Sequence, residues 1–283
     1  MTSQRQASRD SDALFAVRVN DTCMDDELEI LVTNDDGIDA PGIQAMADGL
    51  AAVGDVTVVA PADDQSAVGR RLSEEVTVEE RSDGYAVSGT PADCVVAGFS
   101  ELVPDPDLVV AGCNEGANLG AYVLGRSGTI SAAVEAAFFG APAIATSMYV
   151  PVGEGTLADV QTTPDDFAEP VRATRHLVEQ SIEGGVFEEA SYLNVNVPMD
   201  AGANLPMDVT IPSTRYEMTA ERDGTTITVE DRVWESMDPE TIPDPPGTDR
   251  RAVAEGRISV SPLVAPHTSG SVDALESIAA AYP

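Results

Sequence analysis

The chain has no lysine. All 15 of its basic residues are arginines, set against 49 aspartates and glutamates, for a formal net charge of −34 over 283 residues. That absence removes two classes of phosphate chemistry. A P-loop NTPase needs the lysine of its phosphate loop. A phospho-receiver module also carries an acidic pair after its first strand, but it needs a lysine after a later one and is far shorter. Histidine is scarce. His176 and His267 are the only two, neither lies in a motif loop, and no catalytic histidine is expected; His176 is read as a helix-surface residue. Cys23, Cys94 and Cys113 are odd in number and far apart in sequence, which fits neither a disulfide framework nor paired metal ligands. They read as reduced thiols of a cytoplasmic protein. No apolar run reaches the roughly 18–20 residues that span a bilayer. The polar stretch Met1 to Asp12 lacks a signal-peptide core. No membrane partner is expected, and the acidic excess argues against nonspecific nucleic-acid binding.

Hydrophobic residues make up 43% of the chain, enough for a sizeable core. From Leu28 onward, short β-branched runs alternate with helix-like segments. Strands are expected at Glu29–Thr33, Asp55–Ala60, Asp107–Ala111, Ala143–Tyr149 and Tyr192–Val197. Helices are expected at Ile43–Ala52, with Pro41 in the first turn, and at Pro91–Leu102, capped by Thr90. Two more are expected at Gly128–Gly140 and Asp165–Glu183. Short extended pieces at Glu75–Glu79 and Gly84–Ser88 flank a turn. Such alternation implies an α/β fold: a Rossmann-like, mainly parallel sheet flanked by helices. After Pro198 the texture changes. Val209–Ile211, Tyr216–Arg222 and Thr225–Val233 read as extended, the last two around Asp223-Gly224. Asp238–Gly247 reads as loop, Arg257–Val260 as a strand and Ser271–Ala281 as a helix. The expected organisation is a poorly ordered segment at 1–27 and a catalytic core at 28–200. A C-terminal β-hairpin/helix extension at 201–283 is expected to serve oligomerisation and return to the core.

Chemistry concentrates in four loops. The run Leu28 to Gly37 carries an apolar strand into Asn34, Asp35, Asp36 and Gly37. In open α/β sheets, ligands bind at the carboxyl ends of the strands. Two adjacent carboxylates repel each other unless a cation or proton sits between them. The second loop holds Asp63, Asp64, Gln65 and Ser66. The third runs from Asn114 through Asn118 to Gly120. The fourth is Ser127-Gly128-Thr129, at the start of a helix whose free N–H groups and dipole suit an anion. Oxygen donors of this kind favour Mg²⁺ or Mn²⁺ over Zn²⁺. A metal beside a phosphate site suggests phosphoester hydrolysis. Singly, each motif is as well explained by a helix cap or a solvated turn. Their ordered occurrence in one chain favours the functional reading.

The segments TNDDGIDAPGI (33–43), VVAPADDQSAVG (58–69), GTPADCV (89–95), GCNEGANLG (112–120), SGTISAA (127–133) and LNVNVP (193–198) resemble the SurE family. PPGTD (245–249) and GRISVSPL (256–263) resemble its C-terminal region, so the similarity covers residues 28–263. The resemblance implies a metal-dependent 5′/3′-nucleotidase that hydrolyses nucleoside monophosphates, with one Mg²⁺ or Mn²⁺ per subunit, assembled as a homodimer or homotetramer. It implies metal ligands at Asp35, Asp36, Ser66 and Asn114, with Asp35 and Asp36 catalytic. Asn118, Ser127, Gly128 and Thr129 correspond to its phosphate-side elements. Two departures stand out: the second loop lacks the basic residues common in the family, with Arg70-Arg71 just beyond it, and Arg126 occupies a position often held by tyrosine. A nonenzymatic nucleotide-binding or assembly protein on the same fold is the alternative. The dispersed acidic surface resembles that of proteins from salt-in halophiles, where molar salt shortens the Debye length to about 3 Å and screens self-repulsion.

Overall fold

The structure is a computed structural model. It describes residues 27–265 apart from 104, 152–159, 183, 200, 201 and 203. The N-terminal segment up to residue 26, Cys23, His267 and the helix expected at Ser271–Ala281 lie outside the described residues.

The first strand, β1 (Glu29–Thr33), forms because its apolar, β-branched residues are buried on both faces. Ile30 and Val32 enter one core cluster and Leu31 the other. Each wholly buried side chain contributes roughly 1.5–3 kcal/mol. Helix α1 (Pro41–Leu50) starts at Pro41, whose missing N–H costs nothing there. Gly42 lets α1 lie directly on the sheet: a Cβ there would stand 2.2 Å from the Cys113 carbonyl oxygen. Strand β2 (Asp55–Pro61) leads to a small hairpin, β3 (Val78–Arg81) and β4 (Gly84–Val87). The first arm of this hairpin falls three residues later than its sequence suggested.

Helix α2 (Pro91–Ala97) begins with the expected Thr90 cap, made into a capping box by Asp93. It is shorter than expected, because Gly98–Leu102 continues as a π-helical turn. Strand β5 (Leu108–Glu115) runs four residues past its expected end, with a register shift between Ala111 and Asn114. Helix α3 (Gly128–Phe139) follows, then β6 (Ala143–Tyr149). The segment expected to be one helix from Asp165 opens as a 3-10 turn, Pro164–Phe167, where Thr163 and Asp166 cap each other. Helix α4 (Ala168–Ser181) then continues it. Strand β7 (Tyr192–Pro198) is wholly buried.

Further on, β8 is Met207–Val209, while Ile211 makes only an isolated bridge to Thr248. The hairpin β9 (Met218–Asp223) and β10 (Thr226–Asp231) is tighter than its pattern suggested. The Asp231 side chain accepts the Val233 N–H and turns the chain into a 3-10 segment, Arg232–Ser236, that ends the strand. A six-residue helix unanticipated from sequence, α5 (Asp249–Ala254), precedes β11 (Ile258–Leu263).

Nine strands form one sheet in the order β3-β4-β2-β1-β5-β6-β7-β11-β8; β9 and β10 stand apart as a two-stranded sheet. From β4 to β7 every neighbouring pair is parallel. Strand β3 pairs antiparallel to β4, and β11 antiparallel to β7. One core cluster holds residues of α1 and α4 on one face of the sheet; the other holds residues of α2 and α3 on the opposite face. The chain runs from β1 outward to β2 and β4, then crosses to β5 on the other side of β1. A crevice therefore opens between the carboxyl ends of β1 and β5, where such sheets bind ligands.

Candidate active site

Asp35 and Asp36 leave the end of β1 at that crevice. Asp35 is 4% exposed. Its Oδ1 accepts the Thr129 hydroxyl at 2.6 Å, and the Thr129 backbone N–H also bonds to it. The first turn of α3 therefore holds Asp35 itself. Gly128 permits the approach, since a Cβ there would lie 2.8 Å from the Asp35 Oδ2. Burial still outweighs these hydrogen bonds and raises the Asp35 carboxyl above its ordinary pKa. Asp36 accepts the Glu115 backbone N–H at 3.0 Å. Burial first, and then the charge of Asp35, push the Asp36 carboxyl up to about 7.

Hydrogen bonds tie the four motif loops together. Gln65 N–H donates to the Asp35 carbonyl at 2.7 Å, linking the second loop to the first. Gly69 N–H donates to the Arg126 carbonyl at 3.0 Å, linking the second to the fourth. The Asn118 amide donates to the hydroxyls of Ser147 (2.8 Å) and Thr129 (3.3 Å), linking the third to the fourth. Asn118 is also seated by β7: its N–H goes to Asn196 Oδ1, and its carbonyl accepts from Asn194 and Asn196. The alternation Leu193-Asn194-Val195-Asn196-Val197 thus has a purpose on each face. Its apolar residues enter the core, and its asparagines hold the third loop.

Asn114 lies within β5 rather than in the loop beyond it, and its amide nitrogen donates to the Gly116 carbonyl at 2.5 Å. That leaves Oδ1 as the atom free for a ligand. The Ser66 hydroxyl donates to Asp64 Oδ1 at 2.6 Å. Ser127 is the N-cap of α3, its hydroxyl accepting from Ile130 N–H at 3.1 Å. A cleft of about 480 Å³ is lined by Asp36, Asp64, Ser66 and Glu115, with Pro41 and Phe167 among its apolar walls. Asp35 and Asn118 are buried residues outside this lining.

Two acidic residues of this cleft, Asp64 and Glu115, lie in the second and third motif loops but have no role assigned from sequence. Glu115 follows Asn114 directly, a signal that was available. Its carboxylate accepts the Thr162 hydroxyl at 2.5 Å, a contact that no local pattern reveals. Arg70 does not reach the second loop; it pairs with Glu135 at 3.8 Å and stacks on Phe138. His176 is exposed on α4. Cys94 and Cys113 are free and buried, and burial pushes both thiols up.

The residues fit a hard divalent cation. The charged neighbours that act on Asp35 and Asp36 are other carboxylates, including Asp64. Asn34 Oδ1 is buried without a hydrogen-bond partner in the described structure. Among the described residues no group of three or more His, Cys, Asp and Glu forms a metal cluster. The candidate set instead has two carboxylates, a hydroxyl and an amide oxygen. That is a poor set for zinc and a suitable one for Mg²⁺, which binds through one or two carboxylates and keeps several waters.

The family described as Survival protein SurE matches residues 30–220. The chain belongs to the SurE family. The 5′-nucleotidase SurE of Natronomonas pharaonis is 60% identical over 256 residues, covering 90% of this chain and 100% of that protein. The 5′-nucleotidase SurE of Haloarcula marismortui is 59% identical over 258 residues, covering 91% and 96%. The crystal structure of the SurE protein from Aquifex aeolicus superposes with a TM-score of 0.70 at 32% identity, covering 88% of this chain and 97% of that one. Of the segments that resemble SurE, those after β1 and β5 border the crevice between these two strands. The relatives from halophilic archaea accord with the lysine-free, acidic composition.

Proposed function

We infer that this SurE protein is a nucleotidase that hydrolyses nucleoside 5′- or 3′-monophosphates to nucleoside and phosphate, using one Mg²⁺ or Mn²⁺ per subunit. The observation that carries the reading is the bonded junction of all four motif loops around two carboxyls kept above their ordinary pKa. Relatives at about 60% identity that bear the name 5′-nucleotidase support the reaction class. Asp35, Asp36, Ser66 and Asn114 would hold the ion. When bound, the ion would polarise the phosphoryl group and lower the pKa of water. Asp35 is held by the Thr129 hydroxyl. Asp36 borders the open cleft and orients the attacking water or takes its proton. The start of α3, with Gly128 and Ser127, provides dipole and backbone for the phosphate, while Asn118 and Thr129 hold that turn against the third loop.

The exposed hairpin β9–β10, with Ile227 60% and Val229 64% exposed, is assigned to contact between subunits in a homodimer or homotetramer. It is assigned to the proposed extension at 201–283, which returns to the core sheet through β8 and β11, with the catalytic core assigned to 28–200. Among the described residues no helix is long and apolar enough to cross a membrane, and the chain is assigned to the cytoplasm.

The test is phosphate release from a panel of nucleoside monophosphates in molar KCl, with Mn²⁺ or Mg²⁺ and with EDTA. EDTA-sensitive turnover that disappears in Asp36→Asn supports the reading. A folded, metal-loaded protein that binds nucleotides without turnover would instead support the nonenzymatic alternative.

A further inference from the structure

We propose that Arg126, with Tyr122 and Tyr216, forms a stacking platform for the nucleobase of the substrate and so favours nucleotides over base-free phosphoesters; the proposal rests on the nucleotidase reading of the neighbouring site. Arg126 immediately precedes Ser127, the N-cap of the helix whose first turn holds Asp35. Its guanidinium lies 5.3 Å from the Tyr122 ring centroid and 5.9 Å from that of Tyr216. The two rings meet edge to face, 5.6 Å apart at 81°. Tyr122 is fixed from below, its hydroxyl donating to Asp231 at 2.5 Å. Arg126 Nη1 also reaches Met218 Sδ at 3.7 Å.

Three features distinguish this cluster from an ordinary surface contact. First, Arg126 forms no ion pair among the described residues, whereas Arg172, Arg232, Arg257 and most other described arginines hold a carboxylate. In a chain with 49 acidic residues, an exposed guanidinium kept on aromatic faces is arranged for stacking rather than for charge pairing. Second, Tyr216 is 59% exposed in a chain with only 5% aromatics. Among the described residues Phe138 and Phe139 are also exposed, but Phe139 lies flat on Phe99 and Phe138 under Arg70 at 4.9 Å, whereas Tyr216 meets Tyr122 only edge to face and Arg126 at 5.9 Å. Third, Tyr216 and Met218 come from the segment that begins the β9–β10 hairpin, nearly a hundred residues further on, yet they converge on the one residue bordering the α3 N-terminus. A planar cation over an aromatic pair is a surface on which a nucleobase stacks, through π and cation–π contacts that tolerate different bases. With the phosphate at the start of α3, Arg126 stands one residue before the N-cap of that helix, which puts the platform beside the phosphate end of the substrate.

The experiment compares wild type, Arg126→Ala and Tyr216→Leu in molar KCl with Mn²⁺, using a purine nucleoside 5′-monophosphate and base-free ribose 5-phosphate. Each variant is expected to raise KM for the nucleotide about tenfold with kcat unchanged. KM for ribose 5-phosphate should stay within about twofold, because stacking acts only on the base. Calorimetric binding of the purine nucleoside alone, which cannot be hydrolysed, should weaken in parallel. An equal change for both phosphoesters, or none for either, overturns the platform. So does a fall in thermal stability with no selective loss for the base-bearing ligand. If wild type hydrolyses neither phosphoester, the nucleotidase reading fails by itself and the nucleoside titration decides the platform. Binding weakened in both variants supports it, and a wild type that does not bind nucleoside overturns it. Tyr216→Leu carries the test if Arg126→Ala does not fold.

Discussion

At the scale of single residues, the site depends on a contact between a carboxylate and a helix start. Gly128 has no room for a side chain against Asp35. Gly128→Ala is expected to cost about 1–3 kcal/mol in stability through overpacking. It should also lower kcat more than Asn118→Ala does, because it displaces the turn that Asp35 touches; steady-state kinetics beside a thermal melt checks both. For Asp36 the sign of the pH dependence is definite. Its folded pKa of about 7 lies above the ordinary 3.8, so the metal-free protein is stabilised at low pH by the protonated form. That stability declines as pH rises from about 4 through about 7. Asp36→Asn removes the decline and should be more stable than metal-free wild type above pH 7, by on the order of 1–3 kcal/mol. The same variant should lose turnover by at least about 100-fold. Melts across pH in EDTA, with and without added Mn²⁺, measure the first effect, and phosphate release measures the second. Asp35→Asn retaining full activity and metal dependence would remove Asp35 from the ligand set.

At the scale of elements, one carboxylate tethers α4 to the segment that leads into edge strand β8 and packs on the same core cluster. Glu169 accepts two hydrogen bonds from Arg172, at 2.8 and 2.5 Å, and the Leu205 N–H at 2.9 Å. The Arg172 guanidinium, above all, holds the Glu169 carboxyl down at about 2. A depressed carboxylate stabilises above its ordinary pKa of 4.5 and loses that contribution as pH falls toward 2. Glu169→Gln is therefore expected to cost about 1.5–3 kcal/mol at neutral pH. The gap to wild type should close between pH 4.5 and 2, which denaturant titrations at both ends of that window would detect. Elements were legible in the sequence where burial on both faces or a cap specified them. The sheet strands at 29–33, 143–149 and 192–198 and the Thr90 cap belong to that group. Elements failed where a tertiary or side-chain contact set the boundary. Asp231 truncates β10 by capping Val233, and the π turn at Gly98–Leu102 follows a helix that pattern alone would extend. Helix α5 is too short to carry a periodic signal.

At the scale of the whole molecule, the charge of −34 sets the conditions under which the protein is stable. Self-repulsion favours the unfolded chain in dilute buffer and is screened in concentrated salt. Raising KCl from 0.1 to 2 M is expected to increase Tm by at least about 10 °C, at 2–4 °C per kcal/mol for a chain of this size. A Tm insensitive to KCl would show that the acidic surface is not a salt adaptation. Deleting the tip of the β9–β10 hairpin tests the proposed assembly: light scattering should show smaller species than the full-length protein, with the core sheet still folded, and an unchanged size would remove the hairpin from any subunit contact.

The sequence by itself determined the α/β class, the family and the four loops proposed to carry the chemistry, because strand patterning and short motifs are local properties. It could not tell which residue of the fourth loop caps the helix and which holds the acidic pair: Ser127 caps α3, while Thr129, two positions later, hydrogen-bonds Asp35. Only the tertiary structure decided that distinction. It put the crevice between β1 and β5, brought Glu115 beside Asp36, and set Tyr216 against Arg126. Those pairings join residues 79 to 90 positions apart in the chain. Each depends on strand order and loop packing, which no local pattern encodes.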